Sequence, residues 1–468
     1  MFARPSATKL TRRLAPALVA LMALGPASAS ASPGARHPAR ASGFGPDRVS
    51  RTGTAPVTRP LDRRSAPGWA GSRLFGWKGN DWEPIVAADP NAPYVYMLTT
   101  RFSGHRACST CTKPPIIALR ISSDGGKTFG HWSYLCTCPG ENGGQGDPQI
   151  AVAADGSVYA VWIDGAFRDV LSRSTDYGQT WSDPVRVASG IGYQDHPWLA
   201  VSPSGQDVFV AFNHADSYIA QSHDFGVTWE PPIKTNRDRR YHYAGGGYVA
   251  DDGTVTFSQA SYPLHRGYTG KVKMVATRST DGGATWQTAT VDRVGLQPRC
   301  LSRGCPANHL GGHASLGADA TGDLVIAYDG AVVSKGPQYI YVRRSTDGGL
   351  TWGRRERVSP GGDVVAAFPA IVGTGEGDYR LWYMDDRKGT ERWNVWFRRS
   401  RDGGRRWGHD VRISDARRGA GYVHARGFDA DYGDYGGIAV TQSGETFAAW
   451  GEGYSYNGPG GTWYNRTR

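Results

Sequence analysis

Residues 279–286 read S-T-D-G-G-A-T-W, and residues 345–352 read S-T-D-G-G-L-T-W. Looser copies bring the total to six: S-S-D-G-G-K-T-F from Ser122, S-T-D-Y-G-Q-T-W from Ser174, S-H-D-F-G-V-T-W from Ser222 and S-R-D-G-G-R-R-W from Ser400. Successive serines are 52, 48, 57, 66 and 55 residues apart. A repeat of this length, built of short apolar runs and lacking any 3.6-residue rhythm, points to blades of antiparallel strands and excludes a helical solenoid. The 64 glycines and 16 tryptophans fit a turn-rich, aromatic-packed all-β chain.

The second unit shows the plan of one blade. Residues 150–152, 158–162, 170–173 and 185–187 are apolar strand segments, with a tight turn at 154–156 and the octet before the last segment. The first turn recurs at Asp89-Pro90-Asn91, Pro203-Ser204-Gly205, Asp251-Asp252-Gly253, Ala320-Thr321-Gly322, Gly375-Glu376-Gly377 and Gln442-Ser443-Gly444. The last of these belongs to a seventh unit, starting near Tyr435, whose three strands end before any octet. An open blade edge would leave backbone groups unpaired, so the fourth strand is expected from the other end of the chain, at residues 73–77 (R-L-F-G-W). The expected fold is a β-propeller of seven four-stranded antiparallel blades, or of six if the terminal segment packs otherwise.

Within the octet, Ser and Asp can bond the backbone of their own turn, Gly permits positive φ and Trp can wedge into the neighbouring layer. The octet therefore reads as a folding device at the hairpin between third and fourth strands, on the face opposite the loops that converge on the axis. It resembles the Asp-box, or BNR repeat, of the sialidase superfamily, and the resemblance spans residues 72–468. That superfamily implies a propeller acting on or binding a glycan.

The N-terminus carries Arg4, Lys9, Arg12 and Arg13, then an apolar run from Leu14 to Leu24, then Ala27-Ser28-Ala29. This is the order of a secretory signal peptide, expected to occupy residues 1–29 and to deliver a secreted protein with no membrane span. The formal charge of +11 divides unevenly: residues 1–70 hold eleven Arg or Lys against Asp47 and Asp62, which leaves 42 basic against 40 acidic residues beyond. The excess belongs to the leader and to a Pro/Ser/Ala/Arg linker at 30–71, a composition that cannot bury a core. With a nearly neutral body, the charge gives no support to a nucleic-acid partner.

Chemistry is expected at the starts of the first strands. The segments there include Asp81-Trp82-Glu83, Asp147-Pro148-Gln149, Asp195-His196-Pro197-Trp198, Tyr241-His242-Tyr243, His309, His313, Phe368 and Asp431 through Tyr435. Carboxylates bond sugar hydroxyls and aromatic rings stack on pyranose faces, so such a ring suits a carbohydrate partner. The sialidases resembled here use a Tyr nucleophile paired with a Glu, an Asp acid/base and three Arg that clamp a carboxylate. Carried over, Tyr435 before Gly436-Gly437-Ile438 is the nucleophile, Glu452 its partner and Asp195 the acid/base. The position of the first clamp arginine holds Trp82, and Arg101 fits the arginine after the second strand. His196, His313 and Arg387 complete the expected substrate-binding set.

Three further signals stand apart. Cys108, Cys111, Cys136 and Cys138 fall in two loops of the first blade, where an exported chain favours disulfides over zinc, and Cys300 with Cys305 would close a local loop. Residues 429–434 (D-A-D-Y-G-D) resemble a short structural calcium loop, while no cofactor is required by the expected chemistry. His265, His309 and His313, with Arg387 or Arg266, would suit a polysaccharide lyase instead. The leading expectation is a monomeric, secreted sialidase-like glycoside hydrolase acting on a terminal sugar. A uronate-directed lyase and a non-catalytic glycan-binding or cell-wall propeller are its rivals.

Overall fold

The structure, a computed structural model, describes residues 66–75, 81–102, 113–136, 144–238, 240–263, 271–298, 310–390, 392–421, 433–453 and 460–468. They form seven sheets, each of four antiparallel strands. Blade 2, for example, comprises Gly146–Val152, Val158–Ile163, Asp169–Ser174 and Val185–Arg186. First strands of adjacent blades pack against one another all the way round the axis, the first strand of blade 7 (Gly437–Val440) returning to that of blade 1 (Asp81–Ala88).

Blade 7 is completed as expected by the N-terminal side of the fold: Arg73–Leu74 pairs with Gly460–Arg466, with Arg73 opposite Tyr464 and Leu74 opposite Trp463. The fold takes in residues that composition assigned to the linker. Trp69 bridges Thr467 and buries its ring 5.0 Å from Phe397, so the end of the expected linker belongs to the fold.

The core lies between blades and is filled mainly from the second strands, which alternate less than half-exposed strands do because both faces are covered. Trp162, Trp382 and Trp450 are fully buried there. Near the axis there is room for little else than backbone. A Cβ on Gly246 would lie 2.4 Å from Leu316 N, and one on Gly437 would lie 2.5 Å from Val86 N. The Trp382 indole donates to Gly437 O at 2.9 Å and ties blade 6 to blade 7.

The octets are turn clasps. In all six copies the Ser Oγ lies 2.7–2.9 Å from the Asp carboxylate. The same Oγ accepts the backbone N–H of the second glycine position at 2.8–3.0 Å. Five copies add a Thr hydroxyl on the second carboxylate oxygen at 2.5–2.6 Å. These bonds hold the Asp281 carboxyl down at about 2, side-chain donors contributing most. Bonds from octets to first-turn residues, such as Gly125 N to Pro93 O at 2.8 Å and Gly403 N to Gly377 O at 3.0 Å, place the octets on the face away from the first-strand starts.

Candidate active site

Four first strands begin with the same irregularity. The ladder slips between Trp82 and Ile85, Gly146 and Gln149, Asp195 and Trp198, and Ala367 and Ala370. Each bulge holds a side-chain-bearing residue in the left-handed region: Glu83 (φ 52°), Asp147 (φ 50°), His196 (φ 54°) and Phe368 (φ 57°). Each is followed by proline, Pro84, Pro148, Pro197 or Pro369, which has no N–H to leave unpaired in the broken ladder. Residues before proline prefer extended conformations, and a left-handed non-glycine residue costs about 1–3 kcal/mol. The strain turns three polar side chains toward one another.

Glu83, Asp147, Asp195 and Asp434 form one carboxyl cluster around His196. His196 Nε2 is 3.3 Å from Asp434 Oδ1, and Asp195 Oδ2 accepts the Tyr241 hydroxyl at 2.9 Å. Burial, followed by the charges of Asp147 and Asp434, raises the Glu83 carboxyl far above its ordinary range. Asp147 is also raised by burial, against the lowering effect of its bond with Glu83 and of the nearby His196. Burial and the Asp147 charge lift Asp195 to about 6. Burial alone would lower the His196 imidazole, but Asp434, Asp147 and Asp195 outweigh it and bring His196 to about 9. The cluster thus holds protons at neutral pH that isolated carboxyls would lose. Behind it Asp169 is wholly buried, neither carboxyl oxygen having a hydrogen-bond partner, and burial with Asp195 and Asp147 drives it far up.

Aromatic rings wall the cluster. Tyr435 stands edge-on to His196 at 5.6 Å and to Trp198 at 5.8 Å. Tyr243 meets His196 at 5.4 Å and Tyr241 at 4.7 Å. The Tyr435 hydroxyl donates to Pro148 O at 3.1 Å. Burial and the carboxylates of Glu83, Asp147 and Asp434 push its phenol well above the ordinary value, so it stays protonated.

Of the residues expected from sequence, Asp195, His196 and Tyr435 are brought together. Arg101 is engaged elsewhere: its guanidinium forms two 2.9 Å bonds to the Asp81 carboxylate, both side chains fully buried, and stacks 4.5 Å from Trp132. Trp82 packs on Phe102 at 4.2 Å. Arg387 bonds Asp385 and Asp410, each at 2.7 Å, and lies over Trp396 at 3.8 Å. His313 is bonded through Nδ1 to Asp329 and packs 4.6 Å from Phe368. Glu452 is buried on Thr446–Gly453, opposite Gly461. Glu83 and Asp147 lie in the expected ring but outside the chosen set; the Glu-Pro and Asp-Pro pairs opening their strands were the available signal.

His105, Arg106, Cys108, Cys111, Cys138, His265, Arg266, Cys300, Cys305, His309 and residues 429–432 of the expected calcium loop lie outside the described residues. Cys136 is described and is not a free thiol. Among the described residues no group of three or more His, Cys, Asp or Glu is arranged to hold a metal ion, and no helix is long and apolar enough to cross a membrane.

No protein-family model and no curated protein matches the sequence. Among solved structures, an ulvan lyase determined with bound -[GlcA(1-4)Rha3S]- is similar over 84% of this chain and 95% of its own, at 12% identity and a TM-score of 0.50. The intramolecular trans-sialidase of Ruminococcus gnavus aligns over 87% of this chain and 98% of its own, at 14% identity and a TM-score of 0.44. The leech intramolecular trans-sialidase aligns over 81% and 66%, at 13% identity and 0.41. At 12% identity the likeness to the ulvan lyase is one of fold.

Proposed function

We propose that the protein is an exported glycoside hydrolase that works by carboxyl acid–base chemistry on neutral or amino sugars. The observation that carries this is the convergence of Glu83, Asp147 and His196, each held left-handed before proline, with Asp195 and Asp434. Folding gains nothing from crowding carboxyls on strained backbone, and such expenditure concentrates at functional sites.

Asp195, protonated up to about pH 6, is the proton donor to the glycosidic oxygen. The C–O bond breaks with its electron pair on the departing sugar, and positive charge develops at the anomeric carbon beside the Asp147 and Asp434 carboxylates. Water then attacks that carbon, and its proton passes to Asp434, whose oxygen is held by His196. Water is the only co-reactant. Export follows from the leader expected at residues 1–29.

A Tyr435 nucleophile finds less support, because its hydroxyl donates to Pro148 O and its phenol is surrounded by acids. Among the described residues a carboxylated sugar is also poorly served: Arg101 and Arg387 are committed to Asp81, Asp385 and Asp410, and the cluster repels anions.

The test is release of reducing sugar from a panel of neutral, amino and acidic glycans and aryl glycosides. Turnover of neutral or amino substrates, reduced at least about a hundredfold in Asp195→Asn, is expected. Binding without turnover of any member would leave a glycan-binding propeller, and an ultraviolet-absorbing unsaturated product would indicate a lyase.

A further inference from the structure

Beside the acid cluster, at the junction of blades 2 and 3, stands an aromatic ledge. Phe167 is 39% exposed, unusual for a phenylalanine in a tight turn, and its backbone is left-handed (φ 56°). Nothing in the hydrophobic core requires it there. The turn at residues 164–168 is nonetheless rigidly built. Asp164 Oδ1 accepts the N–H groups of Ala166 at 2.8 Å and Arg168 at 3.1 Å, and Asp164 Oδ2 accepts Arg168 Nε at 2.7 Å. Phe167 N donates to Asp164 O, and Phe167 O accepts Gln194 N, each at 2.9 Å.

The Phe167 ring stacks on Tyr193 at 5.2 Å with 29° between planes, so one face is supported and the other remains available. Tyr193 continues to His214 at 6.4 Å. A carbonyl can only accept, so the 2.6 Å contact between His214 Nδ1 and Tyr193 O fixes the proton on Nδ1 and makes Nε2 an acceptor in the neutral ring. His214 is exposed. The ledge is continuous with the cluster: Tyr193 lies two residues before Asp195, and burial with the Asp195 and Asp147 charges raises its phenol.

We infer that Phe167, backed by Tyr193 and flanked by His214, is a second sugar-binding position, which stacks the apolar face of a pyranose one or more units away from the sugar held in the acid cluster. This rests on the hydrolase assignment and extends it: the substrate is an oligosaccharide chain running out over blades 2 and 3. A supported, pre-positioned aromatic face binds a ring without paying side-chain entropy, while His214 Nε2 is placed to accept a hydroxyl.

Binding is read with Asp195→Asn protein on an array of neutral and amino oligosaccharides graded from one to six units. Affinity is expected to rise with length, and Phe167→Ala in that background is expected to cost about tenfold on the longer chains, the scale of one well-stacked ring. Phe167→Trp should retain the rise, and unchanged thermal unfolding of each variant excludes misfolding. Length-independent binding, absence of binding across the array, or a rise that Phe167→Ala leaves intact would overturn the inference. Length-dependent binding by a protein that turns over no glycan would sink the hydrolase assignment and leave the ledge standing.

Discussion

His196 Nε2 meets Asp434 Oδ1 at 3.3 Å across the axis, although 238 positions of sequence separate them and blades 1 and 2 lie between. The imidazole is the cationic partner of a cluster otherwise made of acids. Replacing it with Gln leaves Asp434, Asp147 and Asp195 to repel one another. His196→Gln is expected to lose about 2–4 kcal/mol of stability, the scale of a broken buried pair, and to shift the alkaline limb of kcat/KM upward as Asp195 holds its proton more tightly. Denaturant unfolding and a pH–rate profile measure the two effects.

The proton on Asp195 sets a second expectation. A general acid must be protonated, so kcat/KM should fall as pH rises through about 6, and Asp195→Asn should abolish that limb along with most activity. Stability carries the same sign. Because the folded carboxyl is raised, its ionisation opposes folding: no penalty applies below about pH 4, and the full penalty, on the order of 3 kcal/mol, applies above about 6. The thermal unfolding temperature of the wild type relative to Asp195→Asn should therefore fall as pH rises between those values.

Arg101 is expected to act through the fold. Arg101→Ala strands the Asp81 carboxylate at zero exposure and should cost about 3–5 kcal/mol, whereas Arg101→Met combined with Asp81→Leu should recover most of it. A double-mutant cycle in denaturant decides this. Recovery of stability without recovery of activity would instead give Arg101 a part in the reaction.

Gly433 holds the other side of Glu83. Its φ is +90°, and a Cβ there would stand 2.3 Å from Glu83 Cγ and 2.9 Å from its backbone nitrogen. Gly433→Ala should cost about 1–3 kcal/mol and depress kcat more than it changes KM, since the cluster is displaced while the ledge is untouched.

The octets should prove silent in kinetics. Ser279→Ala removes the acceptor of Gly283 N–H and is expected to lower stability by about 1–2 kcal/mol with kcat/KM unchanged. A kinetic defect in a stably folded Ser279→Ala protein would contradict the structural role.

The octets and first turns made blade number and strand order readable, because those signals are local: Ser, Asp and Gly satisfy one another within eight residues. The seventh blade's missing strand was readable from an unpaired edge. The site was less so. Asp195, His196 and Tyr435 were found from their position ahead of first strands, but the fate of Arg101 depended on the cross-strand pairing of Asp81 with Arg101, which turns an apparent ligand into a buried ion pair. Glu83 and Asp147 were visible as letters, yet their convergence depends on left-handed bulges that defy the ordinary preference of a residue before proline. A strained conformation is set by tertiary packing, and propensity points away from it.

The pairing of Arg73 with Tyr464 has a kinetic consequence. With the Trp69–Thr467 bridge just beyond it, this pairing joins the two ends of the described ring, so the last sheet closes only when the C-terminal strand is in place. Until synthesis delivers residues 460–466, the six completed sheets leave the apolar packing faces of the first and the sixth incompletely covered, surfaces that can associate between molecules. The molecule's vulnerable interval is thus the time between its sixth sheet and its last seven-residue strand, and a chaperone that covers exposed apolar faces would act there.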